Sequence, residues 1–132
     1  MPGKHSGMHY APEGRTRPVC ARGEFRVGVI GLAHGHIYGM CNGLREAGAE
    51  IASVYDPDPG KVNAFREKYP EAAAARSEDH VLQDRGLHLV ASAGIPDARG
   101  PLGVRALEHG KDYFADKPPF VSFEQLAAAR RA

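Results

Sequence analysis

The chain has 132 residues, 42% apolar and 25% charged, with a formal net charge of +1. That length fits one domain able to bury roughly two thirds of its unfolded surface. The mixed-sign, nearly neutral charge disfavours a nucleic-acid binder driven by bulk charge, and no apolar run approaches the ~20 residues of a membrane span. No apolar segment follows Lys4, so no secretory signal is read. Cys20 and Cys41 form no C-x-x-C pair, which points to a reducing, cytoplasmic setting; Cys41, on an apolar helical pattern, reads as a small buried residue.

Residues 1–24 carry Pro2, Pro12, Pro18 and four glycines among basic residues and read as a disordered leader. His5 and His9 would share a helix face, but Gly7 and the flanking prolines argue against a helix, and no metal site is assigned there. Phe25–Gly31 is a β-branched run with no charge after Arg26, as expected of a strand covered on both faces. A helix follows on the spacing of Met40, Leu44 and Ala47, with Gly48 as its stop. Gly39 and Gly43 weaken it; they either allow close packing or are tolerated irregularities. Glu50–Asp56 is the second strand. Asp58-Pro59 then opens a helix, the carboxylate capping and proline fitting the first helical position; Val62, Phe65 and Tyr69 form its apolar stripe and Pro70 ends it.

Ala72–Ala75 is a candidate short edge strand, and Ser77 caps a short helix reaching Leu82. Leu87–Gly94 is a further buried strand. A helix through Leu102, Ala106 and Leu107 closes at Gly110, and Asp112–Asp116 forms a short strand. Lys117-Pro118-Pro119 forces extended backbone. Ser122 starts a last helix, with Gln125 completing a capping box and Val121 stapling to Leu126. The alternation predicts an α/β domain, a Rossmann-like and mostly parallel sheet with helices on both faces. It spans residues 25–132 and is incomplete at its C-terminus, since such a sheet ordinarily continues beyond a helix ending near Ala132. A fragment is therefore expected.

Ligands of such sheets bind at the carboxyl ends of the strands, and the informative residues follow the strands here. Gly31 supplies a tight turn, and the N–H groups of the next helix supply an anion site. The glycine fingerprint is incomplete, because Ala33 and His36 stand where glycines are expected; Gly35 can carry the unusual dihedral instead. Asp56 lies 25 residues after Gly31, where a carboxylate accepts ribose hydroxyls and repels a 2′-phosphate, so NAD is preferred over NADP. The competing reading of Asp56 is that it merely starts the Asp-Pro-Asp-Pro turn. Asp58 reads as a helix cap only. His34 and His36 either line the cofactor or are structural. A metal site would need a third ligand such as Asp97, and no spacing compels it. Lys117, held between a buried strand and two prolines, can orient a hydroxyl or carboxylate near a nicotinamide and steady negative charge during hydride transfer. Its alternative is an ordinary solvated lysine.

The combination VGVIGLAHGH, VYDPDPGK and LEHGKDYFADKPP resembles the nucleotide-binding domain of the glucose-fructose oxidoreductase / inositol dehydrogenase / MocA-like family, from about Phe25 to Ala132. The glycine loop is shared by many nucleotide folds; the GK, short strand and DKP run is the more specific part. The family's usual form is Glu-Lys-Pro, and Asp116 keeps the carboxylate. The resemblance implies that Lys117 is catalytic, lying beside nicotinamide and substrate. It also implies a cofactor shell of Gly31, Ala33, His34, Gly35, His36, Asp56, Gly94, Pro96, Arg99 and Asp116. The family's Thr-Pro and histidine after the fourth strand are replaced by Gly94–Arg99; Pro96 keeps the bend and Arg99 stands near the histidine position, with Asp97 or Arg99 at the cofactor edge. A second domain, expected in a longer parent but absent from these residues, would bind a sugar, polyol or related substrate and often form a homo-oligomer interface. The implied reaction moves hydride between NAD and a secondary alcohol. This chain alone is expected to be inactive; the alternative is a non-catalytic nucleotide-binding module or remnant.

Overall fold

The chain is described by a computed structural model over residues 16–132. His5, His9 and most of the leader lie outside the described residues. Five strands and five helices alternate: β1 (Arg26–Ile30), α1 (His36–Glu46), β2 (Glu50–Tyr55), α2 (Pro59–Lys68), β3 (Ala73–Ala74), α3 (Glu78–Leu82), β4 (Leu89–Ser92), α4 (Pro96–Glu108), β5 (Asp112–Ala115) and α5 (Phe123–Arg131). The sheet order is β3-β2-β1-β4-β5, and every pairing is parallel. The expected α/β architecture therefore holds, and the sheet is wholly rather than mostly parallel. The chain winds outward from β1 to β3, then crosses back to β4. That reversal leaves a crevice between β1 and β4 at the carboxyl edge.

The strands lack polar alternation because both faces are covered. On one face Val27, Val29, Ile51 and Ala91 pack with Ile37 and Cys41 of α1 and with Val62 and Phe65 of α2. On the other, Ile30, Ala52 and Val90 pack with Val81 and Leu82 of α3 and with Leu102 and Ala106 of α4. Burial of Cys41 pushes its thiol up to about 12 against the opposing Arg45 charge, so it is a core residue and not a nucleophile.

The helix ends follow their sequence signals. Asp58 Oδ1 accepts from Gly60 N at 2.9 Å and Lys61 N at 3.4 Å, and Ser77 Oγ accepts from His80 N at 3.0 Å. Gly48 ends the first helical segment at φ +107°, under the backbone of Cys20, whose carbonyl oxygen would lie 2.6 Å from an added Cβ. Val19 N donates to Ala47 O at 2.8 Å, so the last residues of the expected leader are fixed against the domain.

Two local expectations change. The capping box of α5 is shifted: Ser122 Oγ accepts from Gln125 N, but Gln125 Oε1 accepts from Val121 N rather than Ser122 N. The reason lies in α4, where Pro101 has no N–H to offer the carbonyl of Asp97. Gln125 Nε2 donates to that carbonyl at 2.9 Å instead, so one side chain repairs α4 while starting α5. Lys111, the lysine of the GK pair, is buried, with Nζ donating to Asp84 O at 2.6 Å and Leu87 O at 3.1 Å. It closes the turn before β4, and its burial, opposed by Asp84, lowers its pKa.

Two glycines separate packing from propensity. At Gly103 an added Cβ would lie 2.5 Å from the Tyr113 ring, whereas at Gly43 it would meet nothing within 4 Å. Gly43→Ala is expected to stabilise by about 0.5–1 kcal/mol, and Gly103→Ala to destabilise by about 1–3 kcal/mol. Urea denaturation of both variants checks this; shifts of the same sign would contradict the packing.

Candidate functional site

Most of the residues singled out in the sequence gather at the carboxyl edge of β1, β4 and β5. Gly31 leaves β1 at φ +92°, and a Cβ there would lie 2.8 Å from Gly94 Cα and 2.9 Å from Gly94 N. Only glycine lets the two backbones approach this closely. Gly35 does not carry the unusual dihedral: it is the N-cap of α1 at φ −63°, because Gly31 has already made the turn.

The loop between them is tied on both sides. Gly31 N donates to Tyr55 O at 3.0 Å, His34 N to Ala93 O at 2.9 Å, and Ala93 N to Gly31 O at 3.1 Å. Asp56 clamps it from β2: Oδ2 accepts from Leu32 N at 2.7 Å and Oδ1 from Asp58 N at 2.8 Å. Asp56 thus starts the turn, as one reading has it, and also braces the loop. Each oxygen retains a lone pair for a further donor. Among the described residues, the amides of Ala33 and Gly35 have no acceptor, and both residues are exposed. With the N-terminus of α1 beside them, these N–H groups suit an anionic oxygen.

The other side of the crevice centres on Asp116. Its N–H extends the β5 ladder to Ser92 O at 2.9 Å. His36 Nδ1 lies 3.1 Å from each carboxylate oxygen, Lys117 N donates to Oδ1 at 2.8 Å, and Arg99 Nη2 stands 3.7 Å from Oδ2. Burial raises the Asp116 pKa, but the His36 hydrogen bond, the Lys117 N–H and the charges of His36 and Arg99 outweigh it and hold the carboxyl below its usual range. His34 Nδ1 lies 3.7 Å from the same carboxylate, accepts from His36 N at 3.1 Å, and its ring centroid is 4.0 Å from that of His36. Lys117 is exposed and, with Gly35, His36 and Asp116, lines an open cleft.

Arg99 sits beneath this surface, 3% exposed. Nε donates to Gly94 O at 2.8 Å and Nη1 to Lys117 O at 2.6 Å, so it joins the loop after β4 to the one after β5. Tyr113 Oη donates to Arg99 O at 2.8 Å and steadies α4 from the strand side. Pro96 takes the N-terminal turn of α4 and is exposed; Asp97 is turned to α5, its Oδ1 accepting from Gln125 Nε2 at 3.1 Å. The sequence reading missed the hub at Asp116 and the bracing by Arg99. Replacing Arg99 with Met leaves buried carbonyls unpaired and is expected to cost about 2–4 kcal/mol, with Lys restoring only part because it is a point donor. Denaturant unfolding measures this; a neutral Arg99→Met would contradict the bracing role.

The sequence profile of an oxidoreductase family with an NAD-binding Rossmann fold, GFO/IDH/MocA, matches residues 25–132. Among curated proteins, the chain is 27% identical over 107 residues to scyllo-inositol 2-dehydrogenase (NAD(+)) of Bacillus subtilis strain 168, covering 80% of this chain and 31% of that protein. A solved structure from Erwinia carotovora atroseptica SCRI1043 superposes with a TM-score of 0.79 at 42% identity, over 82% of this chain and 32% of that one. Myo-inositol dehydrogenase from Lactobacillus casei, solved with NAD(H) and myo-inositol, shares the fold with a TM-score of 0.72 at 24% identity, over 81% of this chain and 32% of that one. The chain thus spans about a third of the length of these relatives. No helix among the described residues is long and apolar enough to cross a membrane. With the doubly wound sheet and its glycine turn, the match over residues 25–132 places this chain in the GFO/IDH/MocA family of NAD-binding oxidoreductases.

Proposed function

We propose that the crevice between β1 and β4 holds NAD, with the pyrophosphate on the Ala33 and Gly35 amides and the N-terminus of α1. The observation that carries this is the pair of exposed amides without acceptors among the described residues, on a loop whose other N–H groups are tied to Tyr55, Asp56 and Ala93. Asp56 accepts the adenosine ribose hydroxyls with its remaining lone pairs while keeping Leu32 N in place. A 2′-phosphate would set a second anion against this carboxylate, which favours NAD over NADP. Gly31, Ala33, His34, Gly35 and His36 form the phosphate side of the site. Gly94, Pro96 and Asp116 border the nicotinamide side, and Arg99 shapes that side from beneath.

When bound, NAD supplies the hydride acceptor. Lys117 is the catalytic residue: its ammonium holds the substrate hydroxyl and steadies negative charge as the oxygen gives its proton to a base of the substrate-binding domain. The residues around it fix its backbone through Asp116 and Arg99. The substrate class we assign is a secondary alcohol of a sugar, polyol or related compound, a reading supported by the inositol dehydrogenases this chain resembles. Turnover is assigned to these residues together with a substrate-binding domain, since closing around a substrate requires walls this sheet edge does not form. Homo-oligomerisation belongs to the same proposed parent.

Fluorescence titration with NADH and NADPH tests the cofactor assignment. Asp56→Asn is expected to weaken NADH binding by about 10–100-fold and to narrow the preference over NADPH. Unchanged affinity for both, in a variant with an unaltered melting curve, would contradict the role of Asp56.

A further inference from the structure

His34 and His36 follow β1, and Asp116 follows β5, 80 residues beyond His36. The fold nevertheless brings one ligating atom from each to within 4.8 Å of the others. His36 Nδ1 is 3.1 Å from Asp116 Oδ1, and His34 Nδ1 is 3.7 Å from Asp116 Oδ2. Ligand atoms about 2.0–2.2 Å from a tetrahedral zinc ion stand a little over 3 Å apart. The carboxylate is held from behind by Arg99 and by Lys117 N–H, while both imidazoles remain about half exposed, so a metal has an open path to them. Asp97, named from the sequence as a third ligand that no spacing compels, is instead engaged by Gln125.

We propose that His34, His36 and Asp116 form a binding site for a zinc-class divalent transition metal at the mouth of the crevice. Two imidazoles and one carboxylate suit zinc, cobalt or nickel; magnesium and calcium require more oxygen ligands. Binding replaces the hydrogen bond between His36 and Asp116 with two coordinate bonds; a neutral His36 that carries its proton on Nδ1 shifts to the Nε2–H tautomer, and an imidazolium gives one proton to buffer. It also exchanges the hydrogen bond from His36 N to His34 Nδ1 for a bond from His34 to the metal. Three protein ligands leave the fourth tetrahedral position to water. The Arg99 charge beside Asp116 opposes the cation, which sets the affinity below that of a site with an unshared carboxylate.

The test is titration of the 132-residue chain, with no dinucleotide present, by Co(II) followed in the visible spectrum and by Zn(II) in a calorimeter. Its failure is thereby separate from any failure of the NAD reading. The expected result is one metal per chain with the absorption of four-coordinate Co(II), weakened by more than about tenfold in His34→Ala and in His36→Ala. A doubly substituted His5→Ala/His9→Ala chain should bind as the original does, and Mg(II) should not compete. Circular dichroism of each variant shows that a lost signal is not lost folding. Absence of binding, unchanged binding in the His34 and His36 variants, or loss only on removing His5 and His9 would overturn the proposal.

Discussion

Gly31 and Gly94 meet backbone to backbone where the winding of the sheet reverses, and the Asp56 carboxylate locks the result by taking Leu32 N–H. A side chain at residue 31 would drive β1 and β4 apart. Without the clamp from β2, the loop would lose the carboxylate that fixes its course. The other loop amides are spoken for by Tyr55, Ala93 and Asp56, and those of Ala33 and Gly35 have no acceptor among the described residues. The proposed anion site thus depends on how tightly the rest of the loop is tied.

The side of the crevice around Asp116 follows a different logic. There a buried guanidinium holds two loops together: Arg99 takes the carbonyls of Gly94 and Lys117 while standing beside Asp116. Lys117 is exposed, yet its backbone is fixed on both sides, through its N–H to Asp116 and its carbonyl to Arg99. A flexible side chain on a fixed stem can reach a substrate without the stem moving. Arg99 thus braces both loops from beneath, a contact that the expectation of Arg99 or Asp97 at the cofactor edge does not describe.

Much of the fold was legible because its signals are local. Asp58-Pro59 and Ser77 announced helix starts, Gly48 and Gly110 announced stops, and the β-branched runs at Val27–Ile30 and Ile51–Val54 had no polar face to show. Even β3, only Ala73–Ala74, was legible from its place in the alternation. The site was legible only in outline. Strand ends identify which residues reach the crevice, but not which of them touch. The approach of His36 to Asp116 spans 80 residues and leaves no trace in local spacing, and an arginine in a helix start gives no hint that it will be buried. The survival of α4 across Pro101 likewise depends on Gln125, in another helix.

The proposed cofactor site rests on one surface, the loop from Gly31 to His36 and the carboxylate that braces it. The most direct test of that account is an NMR titration of the isotopically labelled chain with NADH, following backbone amides. The account predicts that Leu32, Ala33, Gly35 and Asp58 show the largest shifts, since they carry or adjoin the free amides and the Asp56 clamp. Saturable binding that leaves these amides unmoved, or a folded chain in which no amide responds, would contradict it.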